Sequence, residues 1–230
     1  PRVVITGMGV TTPLGDVDST WEALMAGQSG ITHIENMPTD YFDVTIAGEV
    51  KNFQLGDYVD RKEARRMGRA SQFAVETARA ALIDAGFNPD DPEYNRDEVG
   101  VVIGTTLGSN EIFETTTHNY RKSDQKRINP LSLVGGIPNI PAHHVSRFFQ
   151  ARGPLVTPSN ACATGTQAIG QAADMIRDGH AEMLLAGGVE CILTDYIIAG
   201  FVGLGALATN FNDTPAQASR PFDLNRSGFI

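Results

Sequence analysis

Two stretches of the chain are apolar at successive central positions rather than at alternate ones: Asp97–Thr105 (Asp-Glu-Val-Gly-Val-Val-Ile-Gly-Thr) and Glu182–Val189 (Glu-Met-Leu-Leu-Ala-Gly-Gly-Val). A strand of that pattern has no wet face, so it must be covered on both sides. Helical patterns stand between and around such strands. From Arg61 to Ala85, apolar or small residues recur at Met67, Ala70, Ala74, Ala78, Ala81 and Leu82, and Gly86 ends the run. A second helix is predicted over Pro138–Phe149, and a third over Thr164–Asp178, ended by Gly179. Strands alternating with helices predict an α/β fold with a parallel or mixed sheet.

The start of the chain, Arg2–Gly9, is an apolar run closed by two glycines and reads as a buried strand entering a tight turn. Asp16 to Ser19 offers cap chemistry for a helix through Trp21-Glu22-Ala23-Leu24-Met25, with Gly27 as its stop. Residues 30 to 60 and 110 to 131 read as irregular. Pro154–Ser159 resembles a short strand leading up to Cys162. No repeat, low-complexity tract or flexible linker interrupts the 230 residues, which read as one domain.

With 41% hydrophobic residues the chain can bury a sizeable core. No apolar run approaches the roughly 20 residues that cross a bilayer. No signal-peptide pattern opens the chain, so a soluble cytoplasmic protein with no membrane contact is expected. A formal charge of −9 argues against general nucleic-acid binding. The two cysteines, Cys162 and Cys191, are too few for a disulfide framework and lack metal-ligand spacing, so both read as free thiols. No metal and no cofactor is expected. The small-residue loop Gly104–Ser109 lacks the lysine and spacing of a phosphate-binding loop, and nucleotide binding is rejected.

The segment Pro158-Ser159-Asn160-Ala161-Cys162-Ala163-Thr164-Gly165 puts a cysteine where a strand hands over to a helix, among residues too small to shield it. A helix N-terminus carries partial positive charge and unpaired N–H groups, which favour a thiolate and can hold an oxyanion. On local pattern alone, a small cysteine packed in a tight turn fits as well.

That segment with its downstream Ala168-Ile169-Gly170 is one of several motifs that occur in order. The others are Val3-Val4-Ile5-Thr6-Gly7-Met8-Gly9, Arg61-Lys62-Glu63-Ala64-Arg65-Arg66-Met67, Ala186-Gly187-Gly188-Val189-Glu190 and Ser219-Arg220-Pro221-Phe222-Asp223. Together they resemble the condensing enzymes of the β-ketoacyl-[acyl-carrier-protein] synthase family, most closely the type II members, over an N-terminal half. The resemblance implies a thiolase-like fold, layered α-β-α-β-α with a mixed sheet, usually in a homodimer. It implies that Cys162 takes an acyl group as a thioester. Malonyl-[acyl-carrier-protein] is then decarboxylated, and its carbanion attacks that thioester to extend a fatty acid. Two histidines and a lysine of the family's C-terminal half assist the second stage. None of His33, His118, His143, His144 and His180 matches them, and the chain stops at Arg226–Ile230 where the family continues, so a fragment is expected. Asn160, Gln167 and Ser227 stand where the family usually has Thr, often His, and commonly Asp. Those departures bear on substrate subtype. A polyketide-type ketosynthase would share every motif, and a non-catalytic half-domain needing its C-terminal partner is a further alternative.

Lys62, Arg65, Arg66 and Arg69 follow helical spacing and concentrate positive charge on an acidic protein. A solvated helix face is one reading. By resemblance, Lys62, Arg65, Arg66, Lys126 and Arg127 bind the acidic acyl carrier protein. Leu107 falls by resemblance near the mouth of the acyl pocket, with plain core filling as the other reading. Cys191 lacks a helix-start context and reads as structural. Glu190 and Asp223 fit either an acid–base pair or internal hydrogen bonding.

Overall fold

The computed structural model describes residues 2–90, 93–124 and 127–230. The chain forms two compact units, Pro1–Gly9 with Leu55–Ile192, and Val10–Gln54 with Leu193–Ile230. The second contains α1 (Val17–Met25), whose N-terminus is capped by Asp16 accepting from the Ser19 amide, and the antiparallel pair β1 (Ile31–His33) and β2 (Ile46–Gly48). It also contains α8 (Asp195–Gly203) and a small core of Val44, Ile46, Ala208, Phe211 and Ala218. Asn212 pins this core by accepting from the Thr45 amide at 3.0 Å and donating to the Asp43 carbonyl at 2.9 Å.

In the first unit, in chain order, lie α2 (Arg61–Ala64), α3 (Arg69–Asp84), β3 (Val99–Gly104), α4 (Asn110–Lys122), α5 (Leu131–Gly135), α6 (Ile140–Phe148), β4 (Leu155–Val156), α7 (Thr164–Arg177) and β5 (Met183–Gly188). As its unbroken apolar pattern predicts, every residue of β3 is buried. It is the middle strand of a parallel sheet ordered β4-β3-β5. Side chains alternate across a strand. Val99, Val101 and Ile103 accordingly meet Val75, Leu82, Val145 and Phe149 of α3, α6 and the residue just after α6, while Val102 meets Ala168 and Ala172 of α7. β3 is thereby covered on both faces, whereas β5 keeps Ala186 and Gly188 exposed, contrary to the expectation of no wet face. The carboxyl ends of β3 and β5, paired at Gly104 and Gly188, point to one edge.

Four expectations change. Arg2–Gly9 forms no strand: Val4 and Ile5 are exposed and the segment lies along α3, because no strand pairs with it among the described residues. Its glycines permit that contact, since a Cβ at Gly9 would sit 1.9 Å from the Thr77 carbonyl oxygen. Residues 30 to 60 contain the β1–β2 pair. The single helix read from Arg61 to Ala85 is two, α2 and α3, broken around Gly68, which is the N-cap of α3 and lies so close to Ser109 that a Cβ would clash at 2.2 Å. The stretch from 110 to 131 holds α4, whose threonine run Thr115-Thr116-Thr117 and few apolar residues hid its helical period. Among the described residues no helix is long and apolar enough to cross a membrane.

Candidate active site

Beyond β4 the chain crosses to the edge where β3 and β5 end. Ala161 adopts φ 46°, a left-handed conformation that is costly for a residue with a Cβ. A short 3-10 turn, Ala161–Ala163, then runs into α7, so Cys162 stands at the helix start with its side chain exposed. The turn is tied at both ends. The Asn160 amide donates to Thr164 Oγ1 at 2.7 Å, and the Ala163 amide to the Asn160 carbonyl at 3.1 Å. Among the described residues the Cys162 amide donates to no protein acceptor, which leaves an N–H beside the sulfur for an oxyanion. Glycines let α7 approach the strand ends: a Cβ at Gly104 would meet Thr164 Cγ2 at 2.3 Å, and one at Gly188 would meet Gly165 Cα at 2.8 Å.

Facing this turn is the loop that follows β3. The Glu190 carboxylate, just past the end of β5, accepts from Thr105 Oγ1 at 2.9 Å, from the Thr106 amide at 2.9 Å and from the Leu107 amide at 3.2 Å. Thr105 Oγ1 in turn accepts from the Gly108 amide at 3.0 Å, and Gly108 closes the loop at φ 62°. The amides of Thr106 and Leu107 therefore hold an internal carboxylate. Leu107 projects from the loop with 41% of its surface exposed. Thr106 Oγ1 lies 3.4 Å from the Ala161 carbonyl, so loop and cysteine turn are in contact.

Lys62, Arg65, Arg66 and Arg127 are exposed and form no ion pair among the described residues; Lys126 lies outside the described residues. The break at Gly68 corrects the expected single helical face, because Lys62 is in α2 while Arg65 and Arg66 follow it in the connecting turn. Lys62 and Arg66, with Arg147, Leu131, Val134 and His143, line a cavity of about 590 Å³ between α2, α5 and α6, and Cys162 is not part of its wall. Burial holds His144 well below its ordinary value, at about 4, with the neighbouring His143 adding to the effect. Cys191 is half-buried and its thiol is pushed up to about 12, first by burial and then by the charge of Glu111, partly offset by Arg69, with Glu190 adding to it. Asp223 bonds within its own turn to Arg220, and that pairing holds its carboxyl below the usual range. Glu190 and Asp223 are thus each engaged internally. No group of three or more metal-ligating side chains occurs among the described residues.

The family described as Beta-ketoacyl synthase, N-terminal domain, matches residues 1–230. The chain belongs to the β-ketoacyl synthase family. It is 41% identical to a 3-oxoacyl-[acyl-carrier-protein] synthase 2 of Staphylococcus aureus over its whole length, which is 55% of that protein, and 40% identical to the Vibrio cholerae protein of the same name. The chain thus spans about half the length of the curated relatives it matches. A crystal structure of a β-ketoacyl synthase from Burkholderia phymatum superposes on the entire chain and 56% of its own, with a TM-score of 0.87 at 36% identity. A type II polyketide ketosynthase in complex with its acyl-carrier protein matches with a TM-score of 0.83 at 28% identity, covering 55% of that chain. The fold is the thiolase-like α/β fold of these synthases.

The sequence singles out Cys162 by its helix-start context but not the groups that hold its turn. Thr164, four residues after Asn160, and Thr105 with Thr106 were missed. The only signal was spacing: a threonine four positions beyond an asparagine at a helix start is cap-like, and it is common enough to pass unnoticed.

Proposed function

We propose that the protein carrying this chain extends fatty acids by decarboxylative condensation, with Cys162 as its acyl acceptor. The observation that carries this reading is the exposed thiol at the start of α7, beside a backbone N–H that has no acceptor among the described residues. The thiolate attacks the carbonyl carbon of an acyl thioester on acyl carrier protein. The oxyanion so formed is held by the Cys162 amide, and the carrier's thiol leaves, so the acyl group stays on sulfur. Malonyl-[acyl-carrier-protein] then loses carbon dioxide, and its carbanion attacks the Cys162 thioester to give 3-oxoacyl-[acyl-carrier-protein]. Groups outside this chain, in the length its relatives have beyond it, assist that stage. Leu107 forms part of the wall met by the acyl chain.

Acyl carrier protein, which is acidic, docks on Lys62, Arg65, Arg66, Lys126 and Arg127. Lys62 and Arg66, which form no ion pair among the described residues and stand by Leu131 and Val134, support this, and so does the carrier complex of the related polyketide ketosynthase. The higher identity to the fatty-acid synthases favours that pathway over polyketide assembly. The working form is a cytoplasmic homodimer.

The test is turnover by the full-length protein given acyl- and malonyl-carrier protein. One carbon dioxide should be released per 3-oxoacyl product, and charge reversal at Lys62 and Arg65 should raise KM for the carrier about tenfold or more while kcat changes little. Product without carrier dependence, or no product, would overturn the reading.

A further inference from the structure

Glu190 has no part in the chemistry just described, yet it is the best-connected side chain beside it. The parallel register ends with Gly104 opposite Gly188, and the Val189 amide donates to the Gly104 carbonyl at 3.0 Å. The residue after Val189 therefore emerges beside the loop that leaves β3. Its carboxylate collects both backbone amides at the loop's centre and the Thr105 hydroxyl. Thr105, itself 1% exposed, passes the restraint to the Gly108 amide. The loop between two ends, buried Thr105 and left-handed Gly108, is thus tied at its centre by one side chain from just past the end of β5. What projects from the braced segment is Leu107, and the braced Thr106 touches the carbonyl of the residue before Cys162.

We propose that Glu190 is a positioning residue that sets acyl-chain selectivity. By fixing the 105–108 loop it fixes where Leu107 stands relative to Cys162, and so which chain lengths fit against the thioester. This rests on the reading of Cys162 as acyl acceptor and Leu107 as pocket wall. A carboxylate suits the role because both its oxygens only accept, and the loop presents only donors. An amide in its place keeps the shape but turns one N–H toward another. A flexible Leu107 then discriminates less between chains, since a wall displaced by a fraction of an ångström no longer selects by length.

The experiment measures the rate of Cys162 acylation in the full-length protein by intact mass, with carrier proteins bearing short, medium and long acyl chains. Wild type, Glu190→Gln, Leu107→Ala and the double variant are compared, with melting temperatures alongside. Glu190→Gln should shift the long-to-short rate ratio about tenfold in the direction that Leu107→Ala shifts it, and the double variant should show no further shift, because both act through one side chain. If Glu190→Gln does not fold, Thr105→Val, which removes one donor at nearly constant shape, is read in the same way. An unchanged ratio in a variant that slows all chain lengths equally, or merely melts earlier, would overturn the selectivity role and leave Cys162 as acceptor intact. No acylation of wild type by any carrier would remove the acceptor reading, and this inference with it.

Discussion

The two cysteines differ in sequence context and in position. Cys162 begins a helix with its side chain open to solvent, while Cys191 lies half-buried near Glu111 and Glu190, with its thiol held at about 12 against an ordinary value of 9.0. Between those values the folded chain keeps a proton that the unfolded chain has released, so this residue's contribution to stability is complete below pH 9 and is lost as pH rises toward 12. The same shift predicts selective labelling. A thiol reagent at pH near 8 should modify Cys162 completely before Cys191 reacts, as read by peptide mass, because the thiolate is the reacting form. Equal labelling of both would contradict the assignment of roles. The sequence already separated the two by helix-start context, but it could not show that a carboxylate from β5's end and a hydroxyl of α7 brace the neighbourhood.

At the scale of elements, the cysteine is placed by close approach of α7 to the strand ends, and that approach depends on glycine. Gly104→Ala would put a methyl 2.3 Å from Thr164 Cγ2 and 2.7 Å from the Pro158 carbonyl, and backbone must move to relieve it. The variant should lose about 1–3 kcal/mol of stability in denaturant unfolding and acylate more slowly, since Thr164 also holds the Asn160 amide. Wild-type stability would argue that the turn tolerates displacement. Much of this layer was legible: β3, β5, α6 and α7 follow from apolar runs and glycine stops. What was not legible had local causes. The break at Gly68 is invisible in the apolar spacing because the clash that requires it comes from Ser109, distant in sequence. Helix α4 carries threonines where a period would show, and Arg2–Gly9 has a strand's composition without a strand paired to it among the described residues.

For the whole molecule, each unit leaves apolar side chains in water: Val4, Ile5 and Ile169 in one, Trp21, Tyr196 and Leu224 in the other. The chain spans 55% of the length of its Staphylococcus aureus relative. Within the first unit, the proposed role of Cys162 is to receive an acyl group. It is tested most directly by incubating the full-length protein with acyl-carrier protein and reading its intact mass, with Cys162→Ala and Cys191→Ala as controls. A single acyl addition is expected on wild type and Cys191→Ala and none on Cys162→Ala. An addition that survives in Cys162→Ala, or none on any form, would contradict it.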